Sequence, residues 1–238
     1  MKLIKGDCLV EMRKIPDGSI DLIVTDPPYL IDTSGGQGSV NEILKLDKSL
    51  KDLKRNQDIT TGYDIEALAD IVNRVQGGDI NAYFWCNKVQ VPEYFRVYVE
   101  KLKCKFDILC WHKNNALPTY SNKYLSDTEY CLFFHKGKGR TFPKSYEEAK
   151  TWWVENINHK DKELFGHPTI KPLRMIEQLI RNSSKEGDVV LDMFMGSGTT
   201  GVACKNLDRA FVGIEIDEKY FSIAQERISE SKKQLTLF

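Results

Sequence analysis

One pattern near the carboxyl end of this 238-residue chain restricts the folds open to it. Asp188-Val189-Val190-Leu191-Asp192 is followed by Gly196-Ser197-Gly198-Thr199-Thr200-Gly201, a helical stretch over Thr199–Leu207, a second strand over Ala210–Ile214, and Glu215. Strand, G-x-G-x-x-G, helix, strand and acid in this order form a nucleotide-binding unit. The glycines admit a ligand close to the backbone, the helix start offers free N–H groups, and a carboxylate 19 residues after the first glycine reaches both hydroxyls of a ribose. An adenosine-bearing cofactor is expected.

Such a sheet ordinarily continues past this unit, yet only one helical stretch, Glu218–Ile228, follows. The remaining strands are therefore expected earlier in the chain. Lys2–Lys5 supplies a third position and Ile20–Thr25 a fourth, which makes a circularly permuted, doubly wound sheet. The fourth strand stops at Asp26-Pro27-Pro28-Tyr29, where two prolines end the ladder and stiffen the loop. First and fourth strands flank the switch point, so the glycine loop and Asp26–Tyr29 are expected to open into one crevice.

The rest of the chain fits that frame. Ile65–Val75 is an amphipathic helix stopped by Gly77-Gly78, Ile80–Cys86 a buried strand, Pro92–Leu102 a helix, and Phe106–Trp111 and Tyr130–Phe134 strands joined as an antiparallel pair. The fold expected is α/β: a Rossmann-like, mostly parallel seven-stranded sheet with one antiparallel strand and helices on both faces. It is read as a single domain with a lid-like insertion at about 30–64 and a short recognition insertion at about 138–166, whose Trp152-Trp153 reads as a small core.

Composition narrows the partners less. Lys and Arg balance Asp and Glu at 34 each, so global charge advertises no nucleic acid, whereas Lys113, Lys123, Lys136, Lys138, Arg140 and Lys144 locally outnumber Asp127 and Glu129 and suit a phosphate track. The six cysteines form no C-x-x-C pair and read as reduced, with no metal site. No apolar run reaches the roughly 18 residues of a membrane span, and the start of the sequence does not read as a signal peptide, so a cytoplasmic location is expected and no membrane partner.

Gly6-Asp7, Asp26-Pro27-Pro28-Tyr29, Trp111-His112-Lys113-Asn114, His167-Pro168-Thr169-Ile170-Lys171-Pro172, Asp192 through Thr200, and Gly213-Ile214-Glu215 together resemble the S-adenosylmethionine-dependent amino-methyltransferases of DNA, in the β-group order where the catalytic loop precedes the cofactor loop. Met193 departs from the family, which more often has proline there. The resemblance implies methyl transfer from S-adenosyl-L-methionine to the N6 amine of a flipped adenine in double-stranded DNA, with S-adenosyl-L-homocysteine as product. Asp-Pro-Pro-Tyr rather than Ser-Pro-Pro-Tyr suggests adenine without excluding cytosine N4.

Roles follow residue by residue. Asp26 and the Pro27 carbonyl would accept the amine hydrogens, Pro28 would stiffen the loop and Tyr29 would stack on the base. The resemblance gives Glu215 to the ribose hydroxyls, Asp7 to the adenine amine, and Asp192 with Gly196 and Gly198 to the methionine portion, with Thr169 and Lys171 packing over the same portion; Cys8, Asp26, Phe194, Ser197, Thr199, Thr200 and Ile216 join them as cofactor-binding residues. It permits a homodimer, a cognate restriction endonuclease as companion, and a place at the nucleoid of a bacterial or phage-infected cell. Two other classes compete: a nicotinamide oxidoreductase, which leaves Asp26–Tyr29 unused, and a non-enzymatic DNA-binding subunit that keeps the fold.

Overall fold

The computed structural model describes residues 1–29, 63–116, 124–137, 141–157 and 170–231. The reading of about 30–64 as a lid lies almost wholly outside these residues, as do parts of the insertion at about 138–166.

Eight strands form one sheet: β1 (Lys2–Lys5), β2 (Leu22–Thr25), β3 (Ile80–Cys86), β4 (Lys105–Lys113), β5 (Thr128–Lys136), β6 (Trp152–Glu155), β7 (Val189–Asp192) and β8 (Ala210–Glu215). Their spatial order is β1-β8-β7-β2-β3-β5-β4-β6. This is the permuted arrangement expected, with the amino-terminal strands in third and fourth place. β5 runs antiparallel to both neighbours, while every other pairing is parallel. The eighth strand corrects the expectation of seven. Within the insertion, Trp152–Glu155 pairs in parallel with β4 and becomes the edge of the sheet. Trp153 turns into the core, its indole N–H donating to Gln178 at 2.9 Å, and Trp152 stays half exposed. A four-residue strand carries too little alternation to be seen from its sequence.

Burial explains the strand composition. All of β2 is buried, with Leu22 and Val24 facing one apolar cluster and Ile23 the other; in β3, Ala82, Phe84 and Cys86 face opposite to Tyr83 and Trp85. A central strand covered on both faces needs apolar residues at every position. One face is covered by α1 (Cys8–Met12), α2 (Ile65–Val75) and α3 (Val91–Tyr94), the last running into a π-helix over Phe95–Lys101. The other is covered by α4 (Leu173–Ser183), α5 (Thr199–Asn206) and α6 (Glu218–Glu230). Asp64 caps α2 by accepting the Ala67 N–H at 2.9 Å, and Gly77 and Gly78 follow its end with φ of +71° and +90°, values that favour glycine. Helices leave on opposite faces at β7 and β2. These adjacent strands form the switch point, and their carboxyl ends place the site.

Candidate functional site

Two loops meet at this point. β7 delivers Asp192, whose carboxylate is buried and fully engaged: Oδ1 accepts from Thr25 Oγ1 at 2.8 Å and from the Phe194 N–H at 3.1 Å, and Oδ2 from Thr200 Oγ1 at 2.7 Å. Burial pushes its pKa up to about 6 against these neutral donors. Asp192 thus ties the start of the glycine loop to α5 and to Thr25, the residue before Asp26.

The loop itself turns on Gly196 and Gly198, with φ of +51° and +82°. A Cβ at Gly198 would come within 3.0 Å of the Ala224 Cβ and 3.1 Å of its Cα, so α6 closes on the loop only because no side chain intervenes. Ser197, Thr199 and Thr200 are buried. Arg227, on α6, donates to Ser197 and Thr199 and so holds the loop from the α6 side. Glu215, ending β8, accepts the Gly196 N–H at 2.7 Å and the Asp217 N–H at 2.9 Å; burial raises its pKa. Ile216 beside it is 59% exposed. Asp7 caps α1 through the Val10 N–H at 3.1 Å, and the Cys8 thiol is pushed up to about 12 by burial and by Asp7.

β2 delivers the second loop. Gln90 donates to the Pro28 carbonyl at 3.0 Å and steadies it from the start of α3. Lys171 is 5% exposed, and its ammonium lies on Asp26 Oδ2, 3.1 Å from Glu129 Oε2 and 3.2 Å from the Tyr29 hydroxyl. Tyr29 in turn donates to Glu129 Oε2 at 3.1 Å, while Lys113 pairs with Glu129 Oε1. Burial would raise Glu129, but the two ammoniums outweigh it and hold its pKa at about 2. Asp26 is raised by burial, with Lys171 opposing. Its Oδ1 is buried and has no hydrogen-bond partner among the described residues. A buried carboxylate oxygen without a donor is costly unless a ligand supplies one.

Lys171, which the resemblance put over the methionine portion, lies on the Asp26 carboxylate. The structure departs from the sequence reading at the phosphate track. Lys113 and Lys136 are not brought together: Lys113 turns inward onto Glu129 at the carboxyl end of β4, while Lys136 pairs in register with Ile80 at the opposite end of the strands. Thr169, Lys123, Lys138 and Arg140 lie outside the described residues.

The family model described as DNA methylase, covering N6 and N4 methyltransferases, matches residues 20–226. The chain belongs to this family. It is an S-adenosylmethionine-dependent DNA amino-methyltransferase. Among curated relatives it is similar to the Type II methyltransferase M.HinfI of Haemophilus influenzae, at 30% identity over 97% of this chain and 68% of that protein. Among solved structures it is similar to the M1.HpyAVI–SAM complex, at 27% identity and a TM-score of 0.67, covering 95% of this chain and 98% of that one. The cytosine-N4-specific PvuII DNA methyltransferase shares the fold, at 16% identity and a TM-score of 0.71 over 94% of this chain and 85% of the other.

The methyltransferase's residues fit its cofactor. Glu215 offers carboxylate lone pairs at a strand end, Ile216 an open apolar surface beside it, and Gly196 and Gly198 the left-handed backbone that turns the loop into α5. Sequence reasoning weighed Glu129 only as a charge offsetting nearby lysines and missed it as a site residue. The only signal was an acid immediately before the apolar run Tyr130–Phe134, at a strand end, where burial is expensive without a cation. Tyr63 was also missed. Its ring tilts against Phe194 with centroids 5.2 Å apart, and its hydroxyl meets that of Tyr94.

Proposed function

We propose that this methyltransferase is a Type II enzyme that methylates the exocyclic N6 amine of an adenine turned out of duplex DNA. The observation that carries the reading is Asp26 Oδ1, a buried acceptor with no described partner, at the end of the strand adjoining the glycine loop's own. A base amine is the kind of donor such an oxygen needs.

Bound S-adenosylmethionine would supply an electrophilic methyl on a sulfonium. The chain's own task is to aim a poor nucleophile, because the amine lone pair is delocalised into the base. Asp26 Oδ1 accepts one N–H and the Pro27 carbonyl the other, which draws the nitrogen toward tetrahedral geometry and turns its lone pair to the methyl. Asp26 works as an acceptor and not as a strong base, since the methylated, cationic nitrogen loses its proton readily to water. Tyr29 offers its ring to the base from a loop held by Gln90 and Glu129. Extrusion from the stack costs a few kcal/mol, partly returned by such stacking.

Cytosine N4 is the second reading, favoured by the shared fold of the cytosine-N4-specific PvuII enzyme. The two separate by one assay. Purified protein is given labelled S-adenosylmethionine and mixed-sequence duplex DNA, and the digested nucleosides are read by mass spectrometry. N6-methyladenine is the expected product; N4-methylcytosine alone would replace the first reading with the second.

A further inference from the structure

Four charged side chains meet behind the catalytic loop: Asp26, Lys171, Glu129 and Lys113. They come from four places in the chain, the end of β2, the approach to α4, the start of β5 and the end of β4. The pairing balances. Two carboxylates face two ammoniums, and Glu129 is the only member of the set that touches both ammoniums.

The arrangement poses a problem for the transfer reaction. As the methyl moves, positive charge grows on the substrate nitrogen, and the Lys171 ammonium sits on the other oxygen of the carboxylate meant to receive that amine. A buried ammonium at such a distance opposes the developing charge. Glu129 offsets it. Its Oε2 accepts from Lys171 at 3.1 Å and from the Tyr29 hydroxyl at 3.1 Å, so one oxygen fixes both the ammonium and the ring of the catalytic loop. Lys171 donates to Asp26 Oδ2 and to the Tyr29 oxygen and forms an ion pair with Glu129, so three oxygens surround its ammonium. The ammonium is therefore held on Oδ2, and Oδ1 is left open.

We propose that Glu129 is a positioning residue for methyl transfer: by drawing Lys171 and Tyr29 onto one carboxylate it decides which oxygen of Asp26 stays open to the substrate amine and keeps the charge around that amine balanced. The inference rests on Asp26 as the amine acceptor. Lys113 acts one step further out, as the countercharge that lets Glu129 be buried.

The test is a charge-balance rescue. Glu129→Gln leaves the set one positive charge in excess and lowers kcat by about 30-fold, while affinity for S-adenosylhomocysteine, read by calorimetry, stays within about twofold. Adding Lys113→Gln removes the excess charge, and K113Q/E129Q recovers at least about fivefold in kcat over E129Q. A merely structural contact predicts the reverse, with the double variant no better than the single. The inference is overturned if E129Q turns over within about twofold of the parent, if the double variant shows no recovery, or if both variants lose cofactor binding and cooperative unfolding together. Should E129Q alone fail to fold, a double variant that folds and turns over supports the balance. Asp26→Ala in the same assay keeps the two ideas apart: a fully active D26A removes the acceptor reading itself, whereas an inactive D26A beside an unaffected E129Q removes only the role of Glu129.

Discussion

Asp26, partly buried, and Asp192, fully buried, stand at the ends of adjacent parallel strands, and they are satisfied in opposite ways. Asp192 takes three neutral donors, from Thr25, Phe194 and Thr200, so both of its oxygens are partnered. Asp26 holds an ammonium on one oxygen and nothing described on the other. A carboxylate wrapped in neutral hydrogen bonds fixes a loop; one paired on a single side keeps a lone pair in reserve. The difference separates the part of the crevice that builds the cofactor loop from the part that meets the amine. The hydroxyl of Thr25 couples them, because it bonds Asp192 one residue before Asp26.

The largest expected effect lies on the Asp26 side. Lys171→Met leaves Asp26 and Glu129 facing each other without their shared cation, and should cost roughly 3–5 kcal/mol of stability, read as a fall in the urea midpoint at neutral pH. A loss no larger than that of an exposed ion pair would mean that Lys171 does not bridge them.

On the Asp192 side the expected signature is a pH dependence. Its pKa rises from the ordinary 3.8 to about 6 on folding. Between those values the folded state binds more protons than the unfolded one, so this group's contribution to stability falls as pH increases, by roughly 3 kcal/mol in all. Asp192→Asn should flatten that decline in unfolding curves taken from pH 4 to pH 6.5. An unchanged slope would show that some other group carries it.

Glu215→Ala should weaken S-adenosylhomocysteine binding by about 2 kcal/mol, or about 30-fold, with kcat at saturating cofactor nearly retained. A pure turnover defect would instead move Glu215 to the amine side. The smallest effects belong to the caps. Asp7→Ala and Asp64→Ala should each cost about 1 kcal/mol. Only the first should also loosen the cofactor, and equal affinity in the two variants would reduce Asp7 to its cap.

The order of the sheet was legible because the glycine unit near the carboxyl end is incomplete by itself, and β-branched runs such as Leu22-Ile23-Val24 mark covered strands plainly. Helix α2 and strand β3 fall at the residues their periodicity indicates. What sequence reasoning did not reach is the ionic set. Lys171 is 145 residues from Asp26 and 142 from Tyr29, and Tyr29 is 100 from Glu129, so no local period records their meeting. Lys113 misled for a related reason. Counted along the chain it joins a basic run, yet the end of a strand can turn a lysine inward when an acid in the neighbouring strand receives it. The π-helical turn after Tyr94 was equally hidden, since its apolar spacing resembles that of an ordinary helix.

The central claim is that Asp26 presents an acceptor to the amine and contributes little to holding the cofactor. Single-turnover transfer of labelled methyl to duplex DNA by Asp26→Ala, measured beside calorimetry with S-adenosylhomocysteine, tests it most directly. Transfer should fall by at least about a thousandfold, with cofactor affinity within about threefold of the parent. Transfer at the parent rate, or loss of both transfer and cofactor binding, would contradict it.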